Sequence, residues 1–206
     1  MEKTLRRYTE LPFVIDFLQT KELVLLSPST WDDKNDSFFI EKYAEKKGVL
    51  STSALCLTDC YETYHHWRIF SSGSSGVCIE FNKENFIKNT ALVPDLRTEP
   101  VKYYSIKDLE GLYPEDNDLP FLKRYAFKDE NEFRLFRESS KPNNDVFRFK
   151  MPVSAIQRII LSPWLPPAVS DHIKETLKSI PGCTSIPIYR SSLVENEQWK
   201  KIASDA

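Results

Sequence analysis

The sequence lacks several features that define large protein classes. It has no run of about 18 apolar residues, so no membrane-spanning helix is expected. It contains neither a glycine-rich phosphate loop nor a Gly-x-Gly-x-x-Gly fingerprint, and neither a Gly-x-Ser-x-Gly elbow nor a His-Glu-x-x-His motif. The common types of ATPase, dehydrogenase, α/β-hydrolase and zinc protease are therefore not expected.

Cysteine and histidine are also scarce, with four and three residues. The cysteines are scattered through strand-like apolar segments, which is typical of reduced thiols in a cytosolic protein. The first ten residues have no apolar core of the kind that a secretory signal needs. We therefore predict a cytoplasmic protein and expect no metal, because the pairs Cys56/Cys60 and His65/His66 do not have a zinc-finger spacing.

Charge of one sign does not predominate either, since 28 basic and 30 acidic residues give a formal net charge of −2. A non-specific nucleic-acid binder usually carries a strong basic excess. We interpret the short basic cluster at Lys3, Arg6 and Arg7 as solvated surface. A chain of 206 residues with 41% hydrophobic side chains is expected to form one globular domain over residues 1–206.

The apolar patterns indicate seven or eight strands and four or five helices, without a strict βαβ alternation. This order predicts an α+β fold with a mixed or mostly antiparallel sheet. Residues 119–128 have a helical pattern, and residues 131–137 alternate like a half-buried strand with Phe133 and Leu135 inward. Residues 61–70 are predicted to be irregular, and the Gly-Ser stretch up to Gly76 is predicted to be a mobile loop.

Four segments resemble the bacterial family known as domain of unknown function 2971, along nearly the full chain. They are residues 25–36 (Leu-Leu-Ser-Pro-Ser-Thr-Trp-Asp-Asp-Lys-Asn-Asp), residues 55–58 (Leu-Cys-Leu-Thr), Trp67 with residues 76–81 (Gly-Val-Cys-Ile-Glu-Phe), and residues 130–134 (Glu-Asn-Glu-Phe-Arg). The chain departs from the family pattern at Ser37, where proline is usual, and at Phe127, where tryptophan is usual. The resemblance implies an α+β fold but no particular activity.

A second resemblance concerns the order of three polar motifs. The arginine pair Arg6 and Arg7 comes first, then Ser51, Thr52 and Ser53, and then Glu-x-Glu at residues 130–132. This order resembles the arginine-serine-glutamate class of ADP-ribosyltransferases. It implies an ADP-ribosyltransferase-like domain that uses NAD and modifies a protein or nucleic acid, as a toxin or phage-defence effector would.

The resemblance also implies a role for each motif. Glu132 would stabilise the positive charge that develops on the ribose, and Glu130 would orient or deprotonate the acceptor. Arg6 or Arg7 would bind the diphosphate with the fixed donor fork of a guanidinium. The three residues Ser51, Thr52 and Ser53 would line the cofactor site.

The same residues also fit plain structural roles. Glu132 and Arg134 suit exposed positions on an edge strand, where a surface ion pair is worth ~0–1 kcal/mol. Asn35 and Asp36 suit a turn as well as a ligand-binding loop. His66 beside Trp67 suits a general base, but also a segment that packs onto the core.

Two further functions fit the sequence. The first is a non-enzymatic module whose aromatic loop, residues 61–76, binds a protein or a nucleic acid through Tyr61, Tyr64, Trp67 and Phe70. The second is a metal-dependent nuclease or hydrolase, because carboxylates bind Mg²⁺. Its candidate ligands are Asp32, Asp33, Asp36 and Glu41.

Overall fold

The computed structural model describes residues 3–71, 73–142 and 146–204, which form two compact units. Unit one takes residues 3–5, 22–60 and 83–151 of the described chain, and unit two takes residues 6–21, 61–82 and 152–204. Within these residues, no helix has both the length and the apolar character that a membrane span requires.

The described residues form eleven strands and six α-helices. The strands are β1 (Thr4–Glu10), β2 (Glu22–Leu26), β3 (Ser51–Thr58), β4 (Gly76–Asn82), β5 (Leu96–Pro100), β6 (Lys102–Tyr104), β7 (Leu122–Arg124), β8 (Glu132–Ser139), β9 (Val146–Lys150), β10 (Ile156–Leu161) and β11 (Ile188–Arg190). The helices are α1 (Leu11–Thr20), α2 (Lys34–Lys47), α3 (Tyr64–Phe70), α4 (Lys83–Thr90), α5 (Pro167–Ser179) and α6 (Glu197–Ser204).

The sheet of unit one is antiparallel throughout. β3 pairs with β2 and with β8, β2 pairs with β9 on its other side, and β8 pairs with β5. β8 is therefore an inner strand, and its residues from Glu132 to Phe136 are all buried. The prediction of a half-buried strand is corrected, because both faces of β8 are covered. The short strands β6 and β7 form a separate parallel pair.

Helix α2 packs its apolar side into the core of unit one. The Asp33 carboxylate caps its first turn by accepting from the N–H groups of Asn35 and Asp36, and Gly48 ends it in the left-handed conformation with φ 65°. A buried cluster of apolar residues is formed by Ile40, Tyr43, Ala54, Leu119, Phe121, Leu122 and Phe136. Together, the Asp33 cap and this apolar cluster fix the position of α2 over the sheet.

Unit two contains most of β1 together with β4, β10 and β11. β4 lies between β1 and β10, pairing antiparallel with β10, and β10 pairs parallel with β11. A second buried cluster joins Tyr8, Trp67, Cys78 and Ile160. The Trp67 ring meets the Tyr8 ring edge-on at 5.1 Å between centroids, so α3 is attached through its tryptophan.

The predicted fold class is confirmed, since the units combine helices with mostly antiparallel strands. The described residues form more strands than the seven or eight predicted, and the strands that were not predicted are β1, β5 and β7. β7 has three residues, which is too short for an alternating pattern to be recognised.

The helix predicted over residues 119–128 is absent. Two 3₁₀ helices, Asp116–Phe121 and Tyr125–Glu130, flank strand β7 there instead. Pro120 is the physical reason, because it has no N–H to donate and disfavours helical geometry at the residue before it.

The region of residues 61–76 is more regular than predicted. Helix α3 begins after Thr63, whose side chain accepts from the N–H of His66, and the Gly-Ser stretch contains a 3₁₀ turn at Gly73–Ser75. Ser72, part of the predicted mobile loop, lies outside the described residues. The cap residue Thr63 was the sequence signal for this helix.

Candidate functional site

A buried arginine organises the candidate site in unit one. Arg134 has no exposed surface, and its guanidinium donates to both oxygens of Asp36, at 2.8 and 2.6 Å. It also donates to both oxygens of Glu132, at 2.7 and 2.9 Å, and to the carbonyl of Pro120 at 2.7 Å. The ring of Trp31 covers it, with its centroid 4.8 Å from the guanidinium carbon. Its donors are therefore shared between two carboxylates and a carbonyl.

Local structure brings these groups together. Glu132 and Arg134 are two residues apart on β8, so their side chains point to the same face of the strand. Asp36 lies in the first turn of α2, where the Asp33 cap holds the backbone. The predicted surface ion pair on an edge strand is corrected: the pair is buried, and β8 is an inner strand.

The charges shift the pKa values of the two carboxylates in opposite directions. Burial opposes ionisation of Glu132, but the guanidinium of Arg134 outweighs burial and lowers the pKa of Glu132 to about 2. Burial raises the pKa of Asp36, and the attraction of Arg134 only partly offsets that effect. Glu132 therefore stays ionised at neutral pH.

Lys123 on β7 extends the cluster to a third carboxylate. Its ammonium lies 2.5 Å from the Glu130 carboxylate, 3.3 Å from Glu132 and 3.6 Å from Asp36. Burial raises the pKa of Glu130, and the Lys123 ammonium counteracts that rise. The two glutamates of the Glu-x-Glu motif therefore meet at one cation.

Backbone contacts fix the turn between the two glutamates. Asn131 adopts the left-handed conformation with φ 43°, and the hydroxyl of Thr58 donates to the carbonyl of Glu130 at 2.7 Å. The N–H of Glu132 donates to the hydroxyl of Tyr103 at 2.7 Å. The start of β8 is therefore held by side chains from β3 and β6.

A cavity of about 450 Å³ opens beside this cluster. Asp36 and Lys123 belong to its lining, together with Asp33, Asn35, Phe39, Tyr104, Ser105, Ile106, Leu109, Glu110, Leu122 and Arg124. All of these residues belong to unit one. Asn35 and Asp36, predicted as candidate site residues, thus both line a cavity of the size that binds small molecules.

The expected proximity of Ser51, Thr52 and Ser53 to Glu132 is corrected. In the β3–β8 ladder Ser53 pairs with Arg137, whereas Glu132 pairs with Thr58 at the other end of β3. Five residues of strand separate the two positions, about 17 Å. The hydroxyl of Ser51 donates instead to the carbonyl of Lys141 at 2.9 Å. Thr58, opposite Glu132, donates to the Glu-x-Glu turn instead.

The arginine pair lies in unit two, on β1. The prediction that Arg6 is solvated is wrong, because its side chain is buried. Its Nε donates to the Glu80 carboxylate at 2.8 Å. Arg158 donates to the same carboxylate, and Arg7 is half-buried. Glu80 thus already binds one of the donors that Arg6 would offer to a diphosphate.

His66 and Trp67 also belong to unit two, and both are buried. The Nδ1 atom of His66 lies 2.5 Å from the hydroxyl of Thr63, and its ring stacks on that of Tyr8 at 5.5 Å. The indole N–H of Trp67 donates to Glu62 at 2.7 Å. The binding-module hypothesis needs Trp67 on the surface, and this part of it is wrong, because α3 turns Trp67 into the core.

The metal-hydrolase hypothesis receives no support from the acidic loop. Among the described residues no group of three or more His, Cys, Asp or Glu is arranged to hold a metal ion. Asp33 caps α2 and Asp36 pairs with Arg134, so two of the four proposed ligands already have structural partners.

No protein-family model and no curated protein matches the chain. The structure is similar to that of the Thermus sp. 2.9 DarT in complex with carba-NAD⁺, with 12% identity and a TM-score of 0.47, covering 93% of this chain and 96% of that one.

The structure is also similar to that of the Thermus sp. 2.9 DarT in complex with ADP-ribosylated ssDNA, with 10% identity and a TM-score of 0.47. The match covers 92% of this chain and 94% of that one. We transfer no function from these two similarities. The resemblance to domain of unknown function 2971 stays a prediction.

The substitution Arg134→Met tests the central ion pairs. Removing the guanidinium leaves Asp36 and Glu132 buried without their main cation, so we expect the free energy of unfolding to fall by about 3–5 kcal/mol. Urea unfolding followed by circular dichroism measures this change. The control Arg124→Met removes an exposed arginine from β7 and should shift stability by less than about 0.5 kcal/mol. Equal effects of the two substitutions would contradict the central role of Arg134.

Proposed function

We propose that the chain is an ADP-ribosyltransferase-like enzyme that binds NAD and modifies a protein or a nucleic acid. The observation that carries this proposal is the Glu132 carboxylate, which Arg134 holds ionised next to a second glutamate and a cavity. A fixed negative charge is the group needed where positive charge develops in the reaction. A role as a toxin or phage-defence effector is part of the same proposal.

NAD supplies the group that is transferred. The bond between ribose and nicotinamide breaks, with its electron pair leaving on the nicotinamide nitrogen, while an acceptor atom bonds to the ribose and loses a proton. Glu132 stabilises the positive charge that develops on the ribose. It needs no reorganisation to do so, because Arg134 and the Tyr103 hydroxyl already fix its side chain and its backbone.

Glu130 is the group that takes the acceptor's proton. Its pKa is raised by burial, which makes its carboxylate a better base than an exposed glutamate. Its side chain keeps 14% of its surface exposed, so it is more accessible than Glu132. Two carboxylates in different environments thus have two different roles.

The cavity has the chemical character of a nucleotide site. Its walls combine the rings of Phe39 and Tyr104 with the amide of Asn35 and the hydroxyl of Ser105. Apolar walls with a few polar groups are typical of small-molecule sites. Lys123, which lines the cavity and contacts both glutamates, connects it to the proposed catalytic pair.

Isothermal titration of the purified protein with NAD⁺, combined with measurement of nicotinamide release, tests this function. We expect saturable binding by the wild type and a loss of nicotinamide release of about 100-fold or more in Glu132→Gln, because the variant lacks the stabilising charge. The matched control Glu41→Gln changes an exposed glutamate on α2 and should behave like the wild type. AMP serves as a control for binding of the nucleotide half alone. No heat and no nicotinamide release at millimolar NAD⁺ would contradict the proposal.

A second candidate function is favoured by a surface of unit two. Arg68 on α3 stacks on Trp164 at 4.1 Å, and its Nε donates to the hydroxyl of Tyr64 at 2.9 Å. In the part of the chain that the structure describes, no carboxylate pairs with Arg68. Tyr61 nearby in sequence is 76% exposed. Stacked aromatic rings with an unneutralised cation suit the bases and phosphates of a single-stranded nucleic acid.

The substitution Trp164→Ala separates this function from the enzymatic one. We expect it to weaken binding of a fluorescent single-stranded oligonucleotide about tenfold, since stacking is worth ~1–3 kcal/mol per base. The control Trp199→Ala removes a tryptophan that is 76% exposed on α6 and should have no effect. Fluorescence anisotropy measures both affinities. Unchanged binding by the Trp164 variant would contradict a role for this surface.

A further inference from the structure

Lys123 contacts both glutamates of the proposed catalytic pair in unit one. Its ammonium lies within 3.6 Å of three carboxylates, and its side chain is only 9% exposed. The ring of Phe127 packs against it, with 5.0 Å between the ammonium and the ring centroid. The sequence shows Lys123 only as one of two basic residues in an apolar stretch, so its position was not foreseen.

The three carboxylates of this cluster share two cations, the ammonium of Lys123 and the guanidinium of Arg134. Arg134 binds Asp36 and Glu132 with its donors. Lys123 binds Glu130, at 2.5 Å. An ammonium at that distance favours the ionised form of a carboxyl group and restricts its rotation.

We propose that Lys123 is a positioning residue that holds Glu130 as a carboxylate beside Glu132, ready to accept the proton of the acceptor. This inference rests on the proposed function. Glu130 accepts the proton as the acceptor atom bonds to the ribose, and it becomes neutral. Lys123 keeps its own proton throughout and contributes only charge and orientation.

Several elements place charged or titratable groups near Glu130. β7 provides Lys123, α2 provides Asp36, and β8 provides Glu132, with Arg134 behind Glu132; β6 provides Tyr103. The carboxylates of Asp36 and Glu132 disfavour a charge on Glu130, as does burial. The Lys123 ammonium opposes these effects through its charge and its hydrogen bond, so its removal is expected to raise the pKa of Glu130.

The substitution Lys123→Met tests the proposal through the ionisation of Glu130. Carboxyl ¹³C NMR of glutamate-labelled protein, with the signal of Glu130 assigned from Glu130→Gln, follows this group as a function of pH. We expect its pKa to rise by about 1–3 units in Lys123→Met. Lys123→Arg, which retains the positive charge, should largely restore the wild-type value. Lys47→Met, the matched control at an exposed lysine of α2 outside the cavity, should leave the value unchanged.

Nicotinamide release gives a second readout. The acidic limb of its pH profile should shift upward in Lys123→Met by the same number of pH units as the Glu130 pKa, and should not shift in Lys47→Met. A folded Lys123→Met protein with an unshifted Glu130 titration overturns the proposal. The NMR titration does not depend on turnover. If the proposed function is wrong but this inference is right, nicotinamide release is absent while the pKa of Glu130 still shifts as predicted.

The reverse substitution covers the case in which Lys123→Met does not fold. Glu130→Gln removes one charge from a partly exposed side chain, and ¹⁵N NMR then follows the amine of Lys123. Its pKa is raised in the wild type by the neighbouring carboxylates, which outweigh burial. We expect that pKa to fall in Glu130→Gln. An unchanged value would show that the two groups do not interact and would overturn the proposal.

Discussion

The ion pairs of Arg134 are the constraint on which the proposed site depends. A guanidinium without exposed surface costs several kcal/mol unless its donors are satisfied, and here two carboxylates and a carbonyl satisfy them. Because Asp36 comes from α2 and Glu132 from β8, the arginine joins a helix to the sheet. The same bonds keep Glu132 ionised inside the protein, which is the property that the proposed chemistry requires.

The fold class could be predicted from the sequence because strands such as β8 and helices such as α2 carry clear signals. The alternating pattern over residues 131–137 located β8, and glycine, which stands at position 48, is the residue type that ends a helix such as α2. The pattern could not show that both faces of β8 are covered. Burial of Arg134 depends on Asp36, 98 residues away in the chain, and no local pattern records such a pairing.

The candidate site was predictable only in part, for the same reason. The Glu-x-Glu motif and the pair Asn35 and Asp36 were recognised, and the structure places them around one cavity or one cluster in unit one. The expectation for the Ser-Thr-Ser motif was wrong because, in the register of β3 against β8, the motif lies at the opposite end of the ladder from Glu132. Lys123 gave no signal, because its role comes from three carboxylates that the fold assembles around it.

The most direct test of the account is a crystal structure of the chain with a non-hydrolysable NAD analogue. The account predicts that the ribose next to the nicotinamide lies within hydrogen-bond reach of the Glu132 carboxylate, about 2.6–3.2 Å. Glu132 should still be bonded to Arg134, and part of the analogue should occupy the cavity lined by Asn35 and Lys123. An analogue bound away from Glu132, or a site that stays empty at saturating analogue, would contradict the account.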